Sequence, residues 1–309
     1  MAVVKVSTIE RFLGLSTDTK PSTVRAGSTF QETDSGRLFV YHDQWVNPVI
    51  DRDFVTEVQR EQITGAKILR ALGEREGGAA TVGEDIWRGN DLSATPAAPA
   101  SHVVVPTPNS AGEQMTVISE NAGDTLAGTG AQKIMVFYLD AAGAEQSEEV
   151  DMNGTTAVNM VATDIAFVQD LSTSQVGSNT VAEGNIRIYK TTDATLVYSM
   201  IAAGGNQSMM PHKMVPAGKT LLMKMWVPCE AQGKRCAIRL RADCTNEVPP
   251  VRQAGVFLFK SVAYCNQFSP GAIPLAYTIP AMSIVKASAF ADAIGADTSV
   301  HWWGVLVDN

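Results

Sequence analysis

The sequence predicts a mainly β protein: an antiparallel β-sandwich or jelly roll over residues 113–309, preceded by a small N-terminal β unit, one helix and an extended arm. Three observations predict it. Beyond residue 112 about ten short apolar runs follow one another, broken by Gly, Pro and Asn and with no long helical period. Of the 309 residues, 45% are hydrophobic and only 18% charged. That charged fraction lies below the roughly 25% usual for soluble domains, which excludes disorder and suits a chain that buries extra surface against partners. Finally, Pro and Ala crowd into residues 77–112 as GGAATVG, ATPAAPAS and PTP, a composition that favours an extended arm.

Residues 1–48 read as a compact β unit. Ser28–Thr33 leads into the turn signal Asp34-Ser35-Gly36 and then Arg37–Tyr41, two short strands with a tight connection. Phe30, Phe39, Tyr41 and Trp45 are its sizeable apolar side chains, too few to stabilise so short a piece alone, so the unit is expected to dock on something. Residues 49–76 read as an amphipathic helix. Phe54, Val58, Ile68, Leu69 and Leu72 fall near helical spacing, Asp51 and Asp53 suit its N-terminus, and Gly73 with Gly77-Gly78 offers a stop. In the arm of residues 77–112, Trp87 is the exception to a pure linker, either stapled to its own fold or anchoring a neighbour.

Within 113–309 two hairpins stand out. Lys133–Leu139 and Glu145–Met152 flank a Gly-containing loop, residues 140–144; Asn185–Lys190 and Leu196–Ile201 flank Thr191-Thr192-Asp193-Ala194-Thr195 in a second hairpin. Further strands are expected at 220–227, 236–241, 256–262, 276–279, 282–287 and 302–307. No fixed internal period argues for a propeller or solenoid.

The chemistry of the sequence points away from an enzyme. His42, His102, His212 and His301 are scattered, without an HExxH, HxH, GxSxG or P-loop pattern, so neither a metal nor a cofactor is expected. Glu148-Glu149 and Asp151 lie on a strand whose alternation sends neighbours to opposite faces, which suits a solvated face or an inter-subunit ion pair better than a catalytic dyad. Asn153-Gly154-Thr155 reads as an Asn-Gly turn. Cys229, Cys236, Cys244 and Cys265 form no CxxC pair and read as buried thiols. No secretory leader and no run of ~18 apolar residues is visible, which predicts folding in the cytoplasm and no membrane contact.

Charge is segregated along the chain. Residues 113–183 hold eleven acidic residues and one lysine; residues 187–260 hold eleven basic residues against four acidic ones. Arg235, Arg239 and Arg241 share one face of a strand whose other face carries Cys236, Ile238 and Leu240. Either the two halves neutralise each other within one sandwich, or oppositely charged sides meet copies of the chain or a charged shell and set register. Nucleic acid is not expected as a partner, because the net charge is -8 and the arginine strand lacks interleaved aromatics.

The runs LGLSTDTKPSTVRAGSTFQETDSGRLFVYHDQWV, ENAGDTLAGTGAQKIMVFYLDAAGAEQSEEVDMNGTTAV and VGSNTVAEGNIRIYK, about a third of the chain, resemble a β module of tailed-bacteriophage virion structural proteins. The resemblance implies no catalytic residues. It implies a virion component assembled in the bacterial host cytoplasm, a capsid decoration or cement protein in the leading reading. Such a protein forms a homo-oligomer, expected to be a trimer, on the major capsid protein or other virion proteins. The interface candidates are Phe30, Phe39, Tyr41, Trp45, Phe54, Val58, Leu69, Trp87, Glu148, Asp151, Arg235, Arg239 and Arg241. A second reading is a neck or tail fibre protein that contacts a host surface glycan; a third is a carbohydrate-active β-sandwich enzyme, which needs a carboxylate pair in a groove.

Overall fold

The computed structural model describes residues 11–24, 28–35, 38–41, 45–46, 67–75, 84–86, 105–231, 233–266, 271–291 and 296–309. The chain divides into two units, Met1–Ala66 and Lys67–Asn309. Every regular element among the described residues is a strand, which makes the protein mainly β, as its turn-rich composition predicts.

The first unit is one sheet in the order β1 (Arg11–Gly14), β2 (Thr29–Glu32), β3 (Leu38–Tyr41), β4 (Trp45–Val46). The tight β2–β3 connection falls at Asp34-Ser35. The Asp34 carboxylate accepts from Ser16 N–H and Oγ–H, and the Ser16 hydroxyl holds that carboxyl below its ordinary range. Phe30 is buried, and the Lys20 ammonium lies 5.0 Å from its ring centroid and 4.2 Å from that of Phe39 while pairing with Glu32 at 2.8 Å. A cation over two rings lends this small sheet cohesion that its few apolar residues do not supply alone.

The second unit contains β5 (Lys67–Arg75), β6 (Glu84–Asp85), β7 (Met115–Ser119), β8 (Ala131–Asp140), β9 (Glu145–Asp151), β10 (Val158–Asn159), β11 (Ile165–Val176), β12 (Ile186–Lys190) and β13 (Asp193–Ile201). It continues with β14 (Lys213–Met214), β15 (Lys219–Glu230), β16 (Cys236–Ala242), β17 (Leu258–Cys265), β18 (Ile273–Ile279), β19 (Ile284–Ala291) and β20 (Thr298–Asp308). These strands build two sandwiches where the sequence suggests one. In the first, the sheet β10-β7-β12-β13 faces β11-β8-β9 across a core of Met115, Val117, Ile134, Val136, Ile186 and Ile188. In the second, β14-β19-β16-β17 faces β18-β15-β20-β5 across Trp226, Trp302, Ile238, Leu240, Val285 and Val300. Trp226 and Trp302 are cross-strand partners, both wholly buried, and truncating either to Ala is worth about 3–5 kcal/mol.

The expected helix is corrected over its described residues: 67–75 form strand β5, antiparallel to β20, and the remainder of 49–66, with Phe54 and Val58, lies outside the described residues. The periodicity that governs is two. Leu69 and Ala71 point into the core, whereas Ile68, counted into the helical stripe, is 44% exposed. Gly73, which reads as a helix stop, is small for another reason: a Cβ there would lie 2.0 Å from Pro211 Cδ. The extended arm also needs correction at one point. Glu84–Asp85 adds to the edge of β19 and Ile86 is wholly buried; Trp87 lies outside the described residues.

The two sandwiches are coupled by Gln169 of β11. Its amide donates to Met214 O at 2.6 Å and its Oε1 accepts Met214 N–H at 3.2 Å, so a side chain continues the ladder from one sandwich to the other. The adjacent Lys213 is fully buried, donates to Gln169 O and pairs with Asp170 at 3.4 Å; burial lowers its pKa against the pull of Asp170.

Candidate interaction face

Strand β16 reads Cys-Ala-Ile-Arg-Leu-Arg-Ala. Alternation sends Cys236, Ile238 and Leu240 into the core and leaves Ala237, Arg239 and Arg241 on the outer face. The register sets Ala237 opposite Tyr264 of β17 and Phe290 of β19, Arg239 opposite Val262 and Ser288, and Arg241 opposite Phe259 and Lys286. A bulge at Leu240/Arg241 shifts the ladder there. The Arg239 guanidinium consequently stands 5.3 Å from the Phe259 centroid and 5.6 Å from that of Phe290, within cation–π range of both rings. Phe257 does the same for the neighbouring cations, lying 3.9 Å from the Lys286 ammonium and 5.9 Å from the Arg241 guanidinium.

The face is covered along β19 as far as Ser288 and open along β17 and at its Phe290 end. Lys286 and Ser288 are buried, whereas Phe259 is 51%, Phe290 38% and Tyr264 83% exposed. At the open end a groove of about 450 Å3 is lined by Arg235, Ala237, Tyr264, Asn266 and Phe290, with the buried Ala237 between the two rings. Among the described residues no carboxylate lies within 4.0 Å of Arg235 or Arg239. Strand β17 is also a sheet edge, and its outward residues Phe259, Val262 and Tyr264 carry no charge. Its lysine, Lys260, is turned inward to donate to Cys244 O at 2.9 Å and Thr245 O at 3.0 Å. An apolar edge without an outward charge invites pairing, and soluble proteins ordinarily blunt or cover such strands. Aromatic residues and arginine, with few other charges, are the composition of interface hot spots.

The acidic segment is used differently. Lys133 pairs with Glu149 at 2.8 Å and Asp151 at 3.3 Å; Lys190 reaches Glu113 at 2.7 Å, and Arg187 reaches Glu120 at 3.5 Å. Glu148 accepts the N–H groups of Val161 at 2.7 Å and Ala162 at 3.0 Å. Asp140 accepts Ala144 N–H, the Gln146 side-chain amide and Ala142 N–H, which holds its pKa down and closes the first predicted hairpin. Part of the charge segregation is thus neutralised inside the chain, through Lys190–Glu113 and Arg187–Glu120, and the interface candidates Glu148 and Asp151 have partners within their own sandwich.

Of the other residues singled out in the sequence, Phe30, Phe39 and Tyr41 belong to the first unit's sheet, Trp45 to its last strand, and Leu69 to the second sandwich's core. Arg239 and Arg241 share the outer face of β16, and Arg235 lines the groove at its end. Sequence reasoning misses the aromatics Phe259, Tyr264 and Phe290, because the interleaving absent from β16 itself arrives from both neighbouring strands. The one sequence signal is for Tyr264, where alternation over Val262–Cys265 sets Val262 and Tyr264 opposite to Ala263 and Cys265; Phe259 faces outward only because the bulge shifts the register. Among the described residues, no three or more His, Cys, Asp or Glu side chains are placed to hold a metal ion.

No protein-family model and no curated protein matches the sequence. Among solved structures, the chain is similar to the structure of infectious bursal disease virus, Gx strain, at 10% identity and a TM-score of 0.23, over 79% of this chain and 72% of that one. A score so low establishes no common fold.

Proposed function

We propose that the chain is a structural protein of a tailed-phage virion, a capsid decoration or cement protein that stabilises the head through inter-subunit contacts. The observation that carries this reading is the open arginine–aromatic face on β16, β17 and β19, lying against an apolar sheet edge. A surface of that composition is built for contact with another protein, and an acidic patch on the shell or on a neighbouring copy complements Arg235 and Arg239. The resemblance of residues 120–158 to a virion module and the low charged fraction of 18% support the same reading. In it the protein acts without catalysis, as a symmetric oligomer, a trimer, on the major capsid protein.

The groove beside Tyr264 and Phe290 favours a second reading. Aromatic walls with Arg235 and Asn266 also suit a saccharide, which would place the chain in a neck or tail fibre facing a host surface glycan. Locating the chain in purified particles by cryo-electron microscopy separates the two. A decoration protein is present in capsid-lattice numbers, a fibre in small multiples set by the tail's symmetry. A chain that remains monomeric in solution and does not bind empty capsids overturns the leading proposal.

A further inference from the structure

Cys236 opens β16 and Cys265 closes β17, and the antiparallel register sets them directly opposite each other. Directly opposed residues point to the same face, here the core face, where each is only 2% exposed. Opposed Cα atoms in an antiparallel pair stand ~4.5–5.5 Å apart, inside the ~4.4–6.8 Å that a disulfide requires. Both residues are thiols in this structure. Both sit at the end of the sheet, where their strands border the open groove beside the cationic Arg235. We propose that Cys236 and Cys265 are a redox-closable pair, which a small-molecule disulfide reaching this end of the sheet converts to a cross-strand disulfide.

The chemistry is two thiol–disulfide exchanges. One cysteine thiolate attacks a sulfur of the small disulfide, forming a mixed disulfide and expelling one small thiolate. The second cysteine thiolate then attacks the protein sulfur of that mixed disulfide and expels the other. Two protein S–H bonds and one small-molecule S–S bond are consumed, and one protein S–S bond and two small thiols are formed. The two protons pass to the departing thiolates, the cysteines are oxidised by two electrons, and the small disulfide is reduced by two. Burial pushes the Cys265 thiol up to about 11, with Cys229 and Glu230 adding to the shift, so closure at neutral pH is slow and is favoured by alkaline medium. The product clamps the edge strand β17, with Tyr264 and Val262, to the arginine strand β16. It leaves the reduced chain free to fold first.

The test uses the intact protein and oxidised glutathione at pH 8.5, with reduced glutathione as the control. Thiols titrated after denaturation are expected to fall from the four of the reduced chain to two, and non-reducing peptide mapping to link Cys236 to Cys265. The melting midpoint should rise by roughly 5–10 °C and fall back with dithiothreitol, since the bridge closes a long loop. Cys229→Ser should still lose two thiols, and Cys236→Ser should form no intramolecular bridge. Retention of all four thiols by the folded protein overturns the proposal. So does a linkage through Cys229 or Cys244, or glutathione held as a mixed disulfide with no Cys236–Cys265 link. Each of these outcomes is read on the wild-type chain, whether or not a serine variant folds.

Discussion

The Asp124 carboxylate accepts the backbone N–H of Ala131 at 2.7 Å, drawing the turn Gly123–Gly130 closed beneath the first sandwich. The same wholly buried carboxylate accepts Ser119 Oγ–H at 2.6 Å, Glu183 N–H at 2.9 Å and Gly184 N–H at 2.8 Å, while Gly154 N–H bonds to Asp124 O at 2.7 Å. Four segments of the chain, at Ser119, Ala131, Gly154 and Glu183-Gly184, therefore meet at this one residue. Gly130 is required beside it, because a Cβ there would lie 2.2 Å from Asp124 Oδ1. Asp124→Ala leaves two buried N–H groups, of Ala131 and Gly184, and the half-buried one of Glu183 without an acceptor, at about 1–3 kcal/mol for each buried group. The expected loss is about 3–5 kcal/mol, read as a lower urea midpoint at unchanged slope.

A second prediction concerns the strand that reads as a helix. With Pro211 Cγ at 2.5 Å and Cδ at 2.0 Å from the place of its missing Cβ, Gly73 leaves no room for a side chain. Gly73→Ala must push Pro211 away, and Pro211 O accepts Trp302 Nε1–H at 2.9 Å in the core. A loss of about 2–3 kcal/mol is expected in thermal or urea melts. An amphipathic helix at this position would instead gain about 1 kcal/mol from the same change, so even the sign is diagnostic.

These two sites also mark how far the sequence can be read. Both predicted hairpins are present, as β8–β9 and β12–β13, because their turns carry local signals such as the Asp140 side chain bonding to Ala142 and Ala144 N–H. Local signals do not reveal partners distant in sequence. Lys67–Arg75 is a strand only because β20, more than 220 residues later, offers it a ladder, and 113–309 divides into two cores through pairings between distant strands. The arginine face is half legible. The alternation Arg239, Arg241 against Ile238, Leu240 is visible in β16, but Phe259 and Phe290 reach Arg239 only through tertiary register.

The third prediction is a pH dependence set by Asp243. This carboxyl is buried, accepts Ile284 N–H at 2.5 Å and has Arg252 Nε 4.0 Å away; burial outweighs both and pushes its pKa up to about 6 from the ordinary 3.8. A carboxyl raised on folding binds its proton more tightly in the native state, so its contribution is largest below pH 4 and is lost as pH rises through about 6. Asp243→Asn keeps an oxygen for Ile284 N–H and removes the charge. It is expected to stabilise the protein by about 1–2 kcal/mol at pH 8 and by little at pH 4, seen as a difference in melting temperature between variant and wild type at the two pH values.

The last prediction tests the face itself. Tyr264 is 83% exposed and Arg239 has two rings but no carboxylate against it among the described residues, so neither is expected to hold the fold together. Tyr264→Ala and Arg239→Ala should each move the melting midpoint by no more than about 2 °C, as surface changes do. If the face docks on a capsid or a neighbouring copy, each should weaken that association at least about tenfold, the loss expected for a truncated hot-spot residue. Arg239→Lys separates charge from shape. A compact ammonium keeps the charge but not the planar guanidinium that contacts Phe259 and Phe290, so it should restore long-range, salt-sensitive attraction without restoring affinity. Val161→Ala, at an 86% exposed position of the other sandwich, supplies the control and should leave binding intact. Variants that fold and bind particles as the wild type does would exclude the arginine–aromatic face from the contact.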